Sequence, residues 1–286
     1  MRDHDFTWAE NMLLLDRANE ASDRDVSYSF AIDELLCKQV GEGGQPICHI
    51  WRHPRAFVMG TRDSRLPGAA DACRWLESEG YEVLVRHSGG AAVPLDSGVV
   101  NLSLIMPVAV KSVYGGFRDD FERMYALISR TLGGFGATVN RGEVEGSYCP
   151  GDYDLHIDGL KFCGIAQRRQ VKAMIIQAFV LAGGSGIARA ELVKAFYDRA
   201  GIGAKPGAYP LVVPSTMSSL EERRIFEDQD GEATERFKLA LHRTFADISS
   251  IAANSSNDEL VRVRLPHPDV IRNAANLLGS RYPLPR

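Results

Sequence analysis

Apolar residues in this chain recur with two periods, and the two alternate along its length. Ile32, Leu35, Leu36 and Val40 share one face of a helix predicted over 28–40. A second helix over 69–79 ends at Gly80, a residue suited to a helix C-terminus. Phe121, Met124, Tyr125, Ile128 and Leu132 mark a third over 119–132; Asp119 and Asp120 sit at its positive end, and Gly133 and Gly134 stop it. A fourth, over 188–200, carries Leu192, Val193, Phe196 and Tyr197 and stops at Gly201. Between the helices the period falls to two. Tyr81, Val83 and Val85 alternate with Glu82 and Arg86, and Leu102, Leu104 and Met106 with Asn101 and Ser103. The run AMIIQAFVLA over 173–182 reads as a buried strand. The pattern predicts an α/β protein with a mixed sheet flanked by helices.

Ile157-Asp158-Gly159-Leu160 is the sharpest local signal. Asp-Gly between alternating runs predicts a two-residue hairpin, because both turn positions need positive φ. Simple register sets Ile157 opposite Leu160, His156 opposite Lys161 and Asp154 opposite Cys163, with the last four on one face. Beyond about residue 210 the pattern changes. Pro210 and Pro214 break the chain, Ser218 with Glu221 suggests a capping box, and helices are predicted near 219–228, 232–249 and 268–278. This divides the chain into an N-terminal segment (1–27), a mixed α/β domain (28–215) and a helical C-terminal extension (216–286) that packs on it.

The bulk properties narrow the class. The chain has 286 residues, 45% of them hydrophobic and 24% charged, with a net charge of -4. That is no signature of non-specific nucleic-acid binding. No apolar run approaches the roughly 20 residues of a membrane span, and the N-terminus lacks a signal-peptide pattern. A cytoplasmic protein is expected. Five cysteines, widely spaced and without C-x-x-C, argue against a disulfide framework or a zinc site.

Three segments can carry chemistry. In Arg86-His87-Ser88-Gly89-Gly90-Ala91-Ala92-Val93, two glycines let the backbone approach a ligand, or simply close a hairpin. In Gly146-Ser147-Tyr148-Cys149-Pro150-Gly151, the Pro-Gly pair puts Cys149 in a turn, more accessible than Cys37 or Cys73 within helical patterns. In Gly159-Leu160-Lys161-Phe162-Cys163-Gly164-Ile165-Ala166, Lys161 is either a solvent-facing strand lysine or a cation for a thiol, and a thiolate is the nucleophilic form.

In this order the segments resemble the superfamily of lipoate-protein ligases, octanoyltransferases and biotin ligases. Arg86, Ser88, Gly89, Gly90, Ala92, Val93 and Asp96 match its first motif, and Gly159, Lys161, Gly164 and Ala166 its second, over roughly residues 28–215. Three positions depart from the ATP-dependent ligases: His87 replaces an arginine, Ala91 a glycine and Leu95 a histidine. Those changes fall where the ligases hold an acyl-adenylate. Gly-Ser-Tyr-Cys-Pro-Gly-x-Tyr-Asp-Leu and Lys-Phe-x-Gly-Ile-x-Gln-Arg-Arg look instead like the cysteine-dependent lipoyl amidotransferases.

The resemblance implies an acyl-thioester on Cys149, with Lys161 holding the thiolate. It implies substrate contacts at Arg86, Ser88, Gly89, Gly90, Asp96, Asn101, Gly164 and Ala166, and neither cofactor nor metal. The implied donor is the octanoylated glycine cleavage H protein. The acceptors are lipoyl domains of 2-oxoacid dehydrogenase E2 subunits, served by a monomer without nucleic acid or membrane. An octanoyl-acyl carrier protein donor, an ATP-dependent lipoate ligase and a non-catalytic binder of acylated domains are the alternatives. His156 is a second proton-transfer candidate or a plain surface histidine, and Arg168, Arg169 and Lys172 are candidates for docking an acidic partner.

Overall fold

The computed structural model describes residues 5–20, 25–86, 89–108, 116–227, 231–252 and 263–286. A seven-stranded sheet runs β1 (Leu13–Asp16), β2 (Ile47–Trp51), β6 (Val99–Pro107), β10 (Ala173–Leu181), β9 (Leu160–Arg169), β8 (Leu155–Ile157) and β7 (Asn140–Arg141). Three further strands, β3 (Arg55–Met59), β4 (Glu82–Val85) and β5 (Val93–Asp96), form a second sheet in the order β4-β3-β5. β1 pairs parallel with β2, whereas β2, β6, β10 and β9 pair antiparallel, so the large sheet is mixed. The expected mixed α/β architecture is present.

The two faces of the large sheet bury separate cores. On one side lie α1 (Val26–Gly41), α2 (Ala69–Ser78), α4 (Gly186–Ala200), α6 (Pro268–Arg281) and the small sheet. On the other lie α3 (Gly116–Gly133) and α5 (Ala233–Ala252). Thus β1, from the first 27 residues, joins the sheet, and the two C-terminal helices pack on opposite faces. Among the described residues no helix is long and apolar enough to cross a membrane.

The helices start where side chains can cap them. Asp25 accepts from Ser27 N (2.9 Å) ahead of α1, and Ser185 accepts from Ala188 N (3.2 Å) ahead of α4. The helix expected near 219–228 does not form; residues 220–227 are turns. Leu220 N and Glu221 N donate to Leu181 O and Ala182 O (2.8 and 3.0 Å), so the donors extend the end of β10. The capping box lies one residue beyond the expected Ser218–Glu221 pair. Ser219 N donates to Glu222 Oε2 (2.8 Å), and Glu222 N donates to Ser219 Oγ (3.1 Å).

The hairpin forms at Asp158-Gly159, both with positive φ (51° and 79°), and pairs Ile157 with Leu160 and His156 with Lys161 as expected. It then departs from simple register: Leu155, not Asp154, lies opposite Cys163, because a bulge between the Leu155 and His156 pairs leaves Phe162 as the extra residue. The extra residue turns both Phe162 and Cys163 into the core with Leu155, while Lys161 meets Tyr148 and Phe179 of the other core. Cys163 therefore does not share the Lys161 face.

Candidate active site

Lys161 is fully buried, and so is Asp154 at 1% exposure. Lys161 does not face solvent because its ammonium lies against the Tyr148 and Phe179 rings (6.0 and 5.8 Å to the ring centres) and the 147–149 loop; at its backbone Met217 forms a parallel bridge, and Ser218 N donates to Lys161 O (3.0 Å). Its ammonium, sealed from water, needs several acceptors. It donates to Asp154 Oδ1 (2.8 Å), Tyr148 O (2.8 Å), Cys149 O (2.7 Å) and Ser147 Oγ (3.3 Å). Ser147 Oγ donates in turn to Asp154 Oδ2 (3.3 Å). Burial pushes the Asp154 carboxyl up, and the Lys161 ammonium opposes that rise.

This cluster fixes the loop that presents Cys149, whose backbone is left-handed (φ 48°). A non-glycine residue held in that region costs about 1–2 kcal/mol and persists only where its surroundings enforce it. Here the two carbonyl bonds from Lys161 enforce it.

The cation on the sulfur is a different one. Arg86 Nη2 lies 3.4 Å from Cys149 Sγ, Ala91 N lies 3.3 Å from it, and the same Nη2 donates to Ala91 O (2.7 Å). The approach requires a glycine: a Cβ on Gly90 (φ 97°) would stand 2.5 Å from Arg86 Nη2 and 2.9 Å from the sulfur. A guanidinium and a backbone N–H thus both face the sulfur. The other four thiols are buried. Burial pushes Cys37 and Cys73 up to about 12, and Cys48 and Cys163 higher still. Cys149 is the accessible thiol of the five.

Cys149 sits at one end of a cavity of about 340 Å³ bounded by Phe30, Trp51, Val58, Val93, Leu95, Ile165 and Phe179. Gly164 makes room for it by letting Phe179 cross the strand; a Cβ there would stand 2.5 Å from the ring. Asn101 and Ser103, the polar positions of the alternating β6, are buried and line this cavity instead of meeting water. Beneath it, Asp33 accepts from Ser103 Oγ (2.6 Å) and Gln177 Nε2 (2.9 Å) and pairs with His49 Nδ1 (2.8 Å).

Of the residues that the sequence singles out, Arg86, Gly89, Gly90, Asn101, Cys149, Gly164 and Ala166 line the cavity. Lys161 stands behind it. Asp96 does not line it: Arg189, 6% exposed, needs a counter-charge and takes Asp96 in a two-pronged bond (2.7 and 2.6 Å). Ser88 and its neighbour His87 lie outside the described residues. His156 is half-buried on β8 and does not line the cavity. Arg168 and Arg169 are engaged within the fold, by Glu34 (3.2 Å) and Asp120 (2.5 Å), which leaves Lys172 as the exposed one of the three. Sequence reasoning missed Asp63, Tyr197 and the 207–210 turn around the site. The one local signal was Gly60 at the end of an apolar strand with Asp63 three residues on.

Known proteins resemble this chain in sequence and in fold. Residues 25–228 match the family model of the lipoyl protein ligase A/B catalytic domain. An Octanoyl-[GcvH]:protein N-octanoyltransferase of Geobacillus kaustophilus is 46% identical over 69% of this chain and 70% of its own. A Lipoyl-[GcvH]:protein N-lipoyltransferase of Listeria monocytogenes is 39% identical over 69% and 71%. The bi-partite lipoate protein ligase of Thermoplasma acidophilum, 18% identical, superposes with a TM-score of 0.61 over 95% of this chain and 92% of its own, a likeness of fold alone. By its catalytic-domain match and these relatives, the chain belongs to the lipoyl protein ligase A/B family.

Proposed function

We propose that this protein is an amidotransferase of protein lipoylation. It moves an octanoyl or lipoyl group from a lysine of the glycine cleavage H protein to a lysine of lipoyl domains of E2 subunits, through a thioester on Cys149. The observation that carries the reading is the accessible thiol at the end of an apolar cavity, with Arg86 and the Ala91 N–H on its sulfur. The names of the relatives support the H protein as donor.

Amide exchange is close to thermoneutral, so it needs no ATP; its obstacle is kinetic. The Cys149 thiolate attacks the amide carbonyl, and the covalent intermediate divides one difficult step into two. Burying the methylenes of an octanoyl chain at about 0.8 kcal/mol each supplies about 5 kcal/mol to hold the carbonyl against the sulfur. Lys161 acts on the loop backbone that aims the thiol. Arg86 compensates the sulfur's charge before attack and again on departure. A free thiol nucleophile suits a reducing compartment, which supports a cytoplasmic site of action.

The test is intact mass after mixing the protein with octanoylated H protein or octanoyl-acyl carrier protein. One octanoyl adduct from the H protein, labile to hydroxylamine and missing in Cys149→Ala, is expected. Transfer to lipoyl domains by the alanine variant would exclude the thioester, and an adduct from the carrier protein alone would change the donor.

A further inference from the structure

A second chamber, of about 530 Å³, lies beside the acyl cavity. The two share Gly89, Gly90 and Pro150, and the far wall is the 207–210 turn. Tyr209 holds that turn down by stacking on Tyr197 (5.1 Å between ring centres, 8° between planes). If the acyl chain lies in the first cavity, the nitrogen side of the scissile amide projects into the second.

Among the described residues lining the second chamber, Asp63 is the one carboxylate. It is 3% exposed. Its Oδ2 accepts from Gly60 N (2.8 Å), and its Oδ1 from Tyr197 Oη (3.0 Å), which accepts from Ala92 N (3.2 Å). Each oxygen keeps a lone pair for a further partner. The carboxylate is close to the turn that carries Gly90. A Cβ on Gly60 would stand 2.2 Å from Gly90 O and 3.4 Å from Asp63 Oδ2, and Gly90 is the residue pressed against Cys149 Sγ.

We infer that the second chamber receives the substrate lysine and that Asp63 carries the proton on its nitrogen; the inference rests on the thioester reading of Cys149. In acylation the thiolate adds to the amide carbonyl and the C–S bond forms. The C–N bond breaks as the Asp63 carboxyl gives its proton to the lysine nitrogen, leaving a neutral amine, a thioester and an Asp63 carboxylate. In deacylation a neutral acceptor amine attacks the thioester, the C–N bond forms, its proton passes to Asp63, and the thiolate departs. The cycle restores both groups and needs no co-reactant. Burial pushes the Asp63 carboxyl up, against the Gly60 N–H, Tyr197 and Arg86, which favours the protonated form that acylation uses.

The experiment compares two acyl donors for Cys149 by intact mass under single turnover. Octanoylated H protein has an amine leaving group that must be protonated; p-nitrophenyl octanoate has one that leaves as the anion. In Asp63→Asn the amide-to-ester rate ratio should fall about 100-fold or more, the usual size of a general-acid contribution. Ala208→Trp, which fills the chamber from the 207–210 turn, should lower the same ratio about tenfold or more, since a chain-borne lysine needs the space. Equal loss with both donors in Asp63→Asn would mean that the carboxylate only pins the 60–63 turn, and an unchanged ratio would overturn the inference likewise. A wild-type protein that forms no adduct with either donor would sink the thioester reading and this inference with it.

Discussion

Lys161 Nζ donates to the carbonyl oxygen of Cys149 at 2.7 Å, while the sulfur of that residue takes Arg86 Nη2 at 3.4 Å. The two cations therefore divide their work on one residue: Lys161 shapes the backbone, and Arg86 faces the reacting atom.

Lys161→Met should destabilise the protein by about 3–5 kcal/mol, because Asp154 would remain as an unpaired buried charge. Lys161→Met/Asp154→Leu should recover most of that loss without recovering acyl transfer, since nothing would then hold the Tyr148 and Cys149 carbonyls. Urea denaturation beside a transfer assay checks both. Full stability in the single variant would mean that the pair is solvated.

Arg86→Met should slow alkylation of Cys149 by iodoacetamide at neutral pH about tenfold or more, the worth of a hydrogen bond to a charged group at about 1.5–3 kcal/mol. Arg86→Lys should restore little, because the lysine side chain is one bond shorter and its nitrogen stops short of the Nη2 position that meets Ala91 O and the sulfur. Intact mass over time gives the rates. A wild-type rate in Arg86→Met would return the role to Lys161.

Gly164→Ala should narrow the acyl cavity. Its Cβ would stand 2.5 and 2.8 Å from two atoms of the Phe179 ring, which must swing toward the lumen. Overpacking of this kind costs about 1–3 kcal/mol. The expected readout is a shift in adduct yield from octanoyl toward butanoyl donors, with the fold retained; an unshifted preference would mean that the chain lies elsewhere.

Acid should weaken the 217–222 segment, a clasp that pairs with the Lys161 backbone and closes on the Ser219–Glu222 capping box. Although burial alone would raise it, the Glu222 carboxyl is held below the usual range by the N–H groups of Gly186 (2.9 Å) and Ser219 (2.8 Å) and by the Ser185 and Ser219 hydroxyls. A depressed folded value means stability that is present above the unfolded carboxylate range, about pH 4.3, and lost as pH falls through the folded value. Glu222→Gln should therefore have a lower Tm than the wild type at about pH 7, with the gap narrowing as the pH falls below about 4.3. Thermal melts across that window decide it, and a constant gap would mean that the carboxylate charge is not what holds the clasp.

The sequence by itself determined the parts that short-range physics governs. Helices α1 to α4 and the strand β10 follow from apolar spacing, and the Asp158-Gly159 turn from its need for positive φ. Cys149 stood apart from Cys37 and Cys73 because Pro150-Gly151 removes it from a regular element. Tertiary structure decided what depends on segments far apart in the chain. Lys161 is buried because the 147–149 loop and the Phe179 ring close on its ammonium, so a residue that reads as a surface lysine is the anchor of the nucleophile's loop. The bulge at Phe162, opposite the Leu155–His156 step, turned Cys163 away from that lysine, a one-residue shift that alternation cannot register. Asp96 went to Arg189, Arg86 to the sulfur and Asp63 to the second chamber, because a buried charge settles wherever the fold brings it a partner.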